Sequence, residues 1–107
     1  MPKIVKHRDD LVHWCPGCKH KHYIPMNKGI WKFNDNFDSP TLTPSVIHTK
    51  LKTGDRFPTD ICHYFIRDGH IQFLNDCQHD LKGQTVELPE IEVVKETPGG
   101  ITIKEVN

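Results

Sequence analysis

The chain has 107 residues, a formal charge of zero, 36% apolar residues, eight prolines and seven glycines. That composition bounds it to one domain with a thin core. It excludes a membrane span of ~18 apolar residues and gives no net positive charge to drive non-specific nucleic-acid binding. Met1–Lys6 lacks the apolar centre of a signal peptide, so the expected setting is the reducing cytoplasm. Charge is unevenly placed: residues 1–32 hold seven Lys/Arg against Asp9 and Asp10, and the remainder has the matching acidic excess. This reads as ordinary surface charge or as a basic patch for an acidic partner.

Strand signals dominate in chain order. Leu11-Val12-His13-Trp14 and His20–Ile24 flank Cys15-Pro16-Gly17-Cys18 and predict a hairpin whose tip is a metal knuckle, with Pro16 presetting φ and Gly17 admitting a positive φ. Ile30–Phe33 is a short strand, and residues 34–40 are turn material. Thr41–His48 is extended but contains Pro44, which predicts an edge strand or a bend. Residues 50–60 form a polar loop. Cys62–Arg67 and His70–Asn75 flank Asp68-Gly69, a strong two-residue hairpin signal. Its register puts Cys62 opposite Asn75 and Cys77 further along the same face, with the two Cβ atoms roughly 7 Å apart. Tyr64, Ile66, Ile71 and Phe73 share that face and form a candidate core. His63, Phe65, Arg67, His70, Gln72, Leu74 and Asp76 face the other way. Val86–Leu88, Ile91–Val94 and Ile101–Lys104 are further short strands. The sequence leaves open whether residues 91–106 pair within the chain or with another copy. No window keeps a 3.6-residue period, so helix should be scarce. The expected fold is mainly β: small antiparallel hairpins around a zinc-ribbon-like site, residues 1–107 forming one zinc-stabilised domain.

Cys15, Cys18, Cys62 and Cys77 suit a tetrahedral Zn²⁺ site, since zinc takes four thiolate or imidazole ligands and its binding adds to folding free energy where the core is thin. A redox pair would place Cys15 and Cys18 at a helix start, whereas a strand follows them here. Cys62 and Cys77 also fit buried free thiols. His63, His79, Asp76 and His22 are alternative ligands or groups packed around them, and His63, Asp76 or His79 would be the acid/base beside an open zinc position. A structural histidine donating to a backbone carbonyl fits His63 and His79 equally well. Zinc-deaminase, His-Glu-x-x-His, Gly-x-Ser-x-Gly and phosphate-loop patterns are absent. Ser45 follows Pro44, has no evident base, and reads as a turn residue.

Cys15-Pro16-Gly17-Cys18 with a following histidine, Trp31-Lys32-Phe33-Asn34, Ser39-Pro40-Thr41-Leu42-Thr43-Pro44-Ser45, Cys62-His63-x-Phe65, Asp68-Gly69-x-Ile71-x-Phe73 and Asp76-Cys77-x-His79-x-Leu81-x-Gly83-Gln84-Thr85 occur in this order. Together they resemble a small bacterial and phage family of unknown function, some of whose members are labelled ammonia monooxygenase. The chain departs from the family at Leu42, where Phe is usual, and at Lys82, where Ala is common. The resemblance implies a phage or prophage setting and supplies no mechanism; the label itself belongs to a membrane-embedded copper enzyme. Two functions are therefore carried forward. One is a non-catalytic zinc-binding module that recognises a protein partner in a bacterial or phage-infected cell. The other is a zinc-dependent hydrolase or lyase. Nucleic-acid binding through Lys19, Lys21, Lys28 and Lys32 ranks last.

Overall fold

The computed structural model describes residues 1–50 and 60–106, apart from the side chains of Lys50 and Asp60. The polar loop expected over residues 50–60 lies almost wholly outside that set. Among the described residues, ten antiparallel strands make three sheets. The first joins β1 (Ile4–His7), β2 (Asp10–Cys15) and β3 (His20–Pro25) in that order. The second has β4 (Lys32–Phe33), β5 (Leu42–Lys50), β6 (Asp60–Arg67), β7 (His70–Phe73) and β8 (Thr85–Glu87), also in chain order. The third is the hairpin β9 (Ile91–Thr97) and β10 (Gly100–Glu105). No helix occurs among the described residues, and none is long and apolar enough to cross a membrane.

Strand alternation on β2 organises the layers. Leu11 and Cys15, with Ile4 and Ile24, pack into the main core against Leu42, Val46, Tyr64, Ile66, Ile71, Phe73 and Leu88 of the five-stranded side. Val12, on the opposite face, packs with Ile91, Ile101 and Ile103 of the C-terminal hairpin in a second cluster. Residues 91–106 therefore pair within the chain, and the Ile91 amide donates to the Pro2 carbonyl at 2.8 Å. The mainly β, antiparallel architecture is the one expected.

The Asp68-Gly69 hairpin has the expected register, Tyr64 facing Phe73 and Ile66 facing Ile71. Both turn residues have positive φ, 49° and 77°, as a type I′ turn requires. Three details differ from expectation. β1 carried too few apolar residues to stand out. Only Lys32–Phe33 of the predicted Ile30–Phe33 strand pairs. β7 stops at Phe73, where the chain turns and the Cys77 amide donates to the Leu74 carbonyl at 3.2 Å. Asn75 therefore never pairs with Cys62.

Pro44 bends β5 instead of ending it. Leu42 faces Ile66 and Val46 faces Tyr64, so Thr43, Pro44 and Ser45 together oppose Phe65 in a β-bulge. A bulge absorbs a residue that cannot donate to the ladder and re-aims its neighbours. Here the neighbour is Ser45.

The main core also encloses polar groups. The Tyr64 hydroxyl lies 2.6 Å from His13 Nε2 and 3.0 Å from His48 Nε2. Burial, reinforced by neighbouring His22, lowers the pKa of His13 to about 3 and that of His48 to about 4. Both imidazoles are thus neutral at pH 7. Burial also holds the phenol protonated, so it donates to one ring nitrogen and accepts from the other. Tyr64→Phe should destabilise the fold by ~1–3 kcal/mol, the cost of stranding buried imidazole nitrogens, read as a lower urea midpoint at unchanged slope.

Candidate functional site

The knuckle turn between β2 and β3 brings Cys15 and Cys18 together. The Cys18 amide donates to Cys15 Sγ at 3.3 Å, and the Lys19 amide donates to the Cys15 carbonyl at 2.8 Å. The left-handed residue of this turn is Lys19, at φ 59°, and not Gly17. Glycine is needed at position 17 for a different reason: a β-carbon there would overlap the His79 imidazole. From β6, Cys62 Sγ reaches within 3.7 Å of Cys15 Sγ. Ligand atoms of Cys15, Cys18, His22 and Cys62 all lie within 4.8 Å of one another.

The four cysteines are unbridged, and three of their sulfurs lie close enough to shift one another's ionisation. Cys18 is pushed well down because Cys15 and Cys62 can donate to its thiolate. Cys15 is correspondingly pushed up to about 12, and Cys62 is raised still further. A divalent cation relieves this by letting all three ionise. His22 Nε2 is buried with no hydrogen-bond partner. Three thiols and an imidazole are a donor set that suits zinc, so this cluster can hold a metal ion.

Cys77 falls into a second group, with Cys62 and His79. Its Sγ accepts the His63 amide proton at 3.1 Å and its thiol donates to the His63 carbonyl at 3.0 Å. Burial raises its pKa, consistent with a protonated thiol clamped on that backbone. His79 Nε2 lies 3.7 Å from Cys62 Sγ. Its Nδ1 accepts the Leu81 amide at 3.2 Å. The ring proton is thereby placed on Nε2, which donates toward the sulfur.

The other face of the same sheet holds a different constellation. Neighbours on a strand point to opposite faces, so Cys62 faces inward and His63 outward. His63 Nδ1 lies 3.1 Å from Asp76 Oδ2, and His63 Nε2 lies 3.1 Å from Ser45 Oγ. Ser45 comes from the β5 bulge, His63 from β6 and Asp76 from the turn after β7. The Ser45 carbonyl accepts the Trp31 indole N–H at 3.2 Å, which holds the backbone that carries this hydroxyl. The His63 side chain is 23% exposed and that of Asp76 48%, so the site is open to solvent. Ser45, expected to be a turn residue without a base, has one.

This geometry is a Ser-His-Asp triad. A carboxylate fixes the imidazole tautomer, leaving Nε2 free to accept the serine proton. Such triads recur on unrelated folds and in differing chain orders. Residues 2–74 match the family described as bacterial ubiquitination-like system serine protease, BubE. The chain belongs to the BubE family. No curated protein and no solved structure matches it. The BubE match spans Ser45, His63, Cys15, Cys18, His22 and Cys62 and ends short of Asp76 and Cys77. BubE is a bacterial family named for a protease, in place of the phage setting and the ammonia monooxygenase label attached to the family resemblance.

Proposed function

We propose that this member of the BubE family is a serine protease acting on a protein of a bacterial ubiquitination-like system. Ser45 would be its nucleophile, His63 its general base and Asp76 the group that orients His63. The observation that carries this reading is the pair of 3.1 Å contacts running from Ser45 Oγ through His63 to Asp76. Ser45 Oγ attacks the carbonyl carbon while its proton passes to His63 Nε2. The Asp76 carboxylate stabilises the resulting imidazolium. His63 then gives that proton to the departing amine, leaving Ser45 acylated. Water, deprotonated by the same His63, releases the acyl group and restores the serine.

In this reading a Zn²⁺ ion held by Cys15, Cys18, Cys62 and His22 is structural, with Cys77 bound to the His63 backbone instead of the metal. His63 and Asp76 serve Ser45 on the face of β6 opposite Cys62, so serine and not metal-bound water is the nucleophile. The protein partner is then a substrate, met in the bacterial cytoplasm, and no nucleic acid is needed.

The test uses p-nitrophenyl acetate, a small ester that an activated serine attacks whatever its natural substrate. The expected trace is a burst of about one nitrophenol per chain followed by slow turnover, the mark of an acyl-enzyme. Asp76→Asn should slow the burst by about 10⁴, because the imidazole then takes the wrong tautomer. A linear trace with no burst, or a burst that Asp76→Asn leaves unchanged, would contradict the assignment.

A further inference from the structure

The strand that carries Ser45 has an edge left unpaired past Thr43 by every strand among the described residues, and its backbone polarity can be assigned. The His63 carbonyl accepts the Leu74 amide at 2.9 Å and the His63 amide donates to Cys77 Sγ. Both His63 backbone groups therefore point toward the β7 side. The Ile61 carbonyl does the same, accepting the Gln78 amide at 3.1 Å. Ile47 faces His63, and Thr49 faces Ile61. In an antiparallel ladder, residues facing partners turned away are themselves turned away. The N–H and C=O groups of Ile47 and Thr49 thus point out from the sheet, while those of Val46 and His48 bond to β6.

On that outer side β4 covers only the start of β5, pairing Phe33 with Leu42 and Lys32 with Thr43. The Trp31 indole closes the edge at the Ser45 carbonyl. From Ile47 to Thr49, no strand among the described residues pairs with it. An open row of donors and acceptors is a template for an added strand. This one leads directly to the nucleophile, with Ile47 two positions beyond Ser45 on the same strand and the same face.

We infer that the substrate is recognised as an extended polypeptide added antiparallel to this edge of β5. The residues preceding the scissile bond exchange backbone hydrogen bonds with Ile47 and Thr49, and Ser45 meets the bond to be cut. This inference rests on the protease reading. It specifies an unstructured, strand-forming stretch of protein as the substrate class. Backbone bonds of this kind are indifferent to sequence, so selectivity falls to alternate side chains. One substrate residue lies beside Ile47, which is 52% exposed, and an apolar residue is expected there.

The experiment scans wild-type protein with a positional library of internally quenched octapeptides. Each backbone amide of the best-cleaved peptide is then replaced in turn by an ester, which removes one N–H donor. Esters at two positions separated by a single intervening residue should each lower kcat/KM about tenfold, as expected for the loss of one hydrogen bond. The position between them should be tolerant. Ile47→Pro removes an outward N–H that β6 does not use, and should lower kcat/KM for the peptide by about tenfold. Uniform tolerance of the esters overturns strand addition, as does failure to cleave any pool by protein that gives a full burst. Absence of the burst itself would instead remove the protease reading beneath it.

Discussion

Ser45→Ala is expected to lower hydrolysis of any substrate by a factor on the order of 10⁴–10⁶, with the fold intact. Removing the nucleophile of a triad leaves only the catalysis supplied by binding and polar groups around the reacting carbonyl. Structure should survive because Ser45 sits half-buried in a bulge and, among the described residues, its hydroxyl bonds to His63 alone, while the backbone carbonyl that Trp31 holds remains. His63→Ala should cost about as much, and the double variant hardly more than either single one, since the groups act as a unit. Stopped-flow rates for the three variants would check this. Additive losses would mean that Ser45 and His63 act separately.

Stripping the metal is expected to abolish activity by a different route. The ions that bind sites of three thiolates and an imidazole contribute ~10 kcal/mol or more to folding, comparable with the entire ~5–15 kcal/mol stability of a domain. Here the coupling is also local. Cys62 precedes His63 in β6, and Cys77, packed beside Cys62, holds both backbone groups of His63. Loss of the ion should therefore disorder the strand that carries the general base. A strong chelator should remove the burst and the far-ultraviolet strand signal together. Reconstitution with Zn²⁺, Cd²⁺ or Co²⁺ should restore the burst to within about twofold, because the residues that would hold the ion lie on the face of β6 opposite His63. If the restored rate changed strongly with the metal, the ion would be part of the chemistry.

Much of this arrangement was legible because the Asp68-Gly69 turn sets its own register. From that turn, alternation put Tyr64, Ile66, Ile71 and Phe73 in the core and His63 with Asp76 on the outer face, and the structure has them there. The Cys15-Cys18 knuckle was equally local. What could not be read depended on pairing between distant segments. The contact between Ser45 and His63 needs the register of β5 on β6, whose connection is too long to set it as the two-residue Asp68-Gly69 turn does, and it needs a bulge that breaks the alternation around Pro44. Cys77 was placed by extending β7 past Phe73, but the chain turns there, and the thiol meets the His63 backbone instead. Gly17 was legible as important for the wrong reason: its missing side chain makes room for His79, which no local turn rule encodes. His22, four residues beyond Cys18 along the knuckle, was the available signal for a nitrogen ligand.

The chain contains only two serines, Ser39 and Ser45, so one measurement addresses the nucleophile without ambiguity. Wild-type protein is treated with a fluorophosphonate, digested, and the adduct located by tandem mass spectrometry. The triad geometry predicts one phosphonyl group per chain, on Ser45, and none after His63→Ala. An adduct on Ser39, or an unmodified Ser45 in folded, metal-loaded protein, would contradict it.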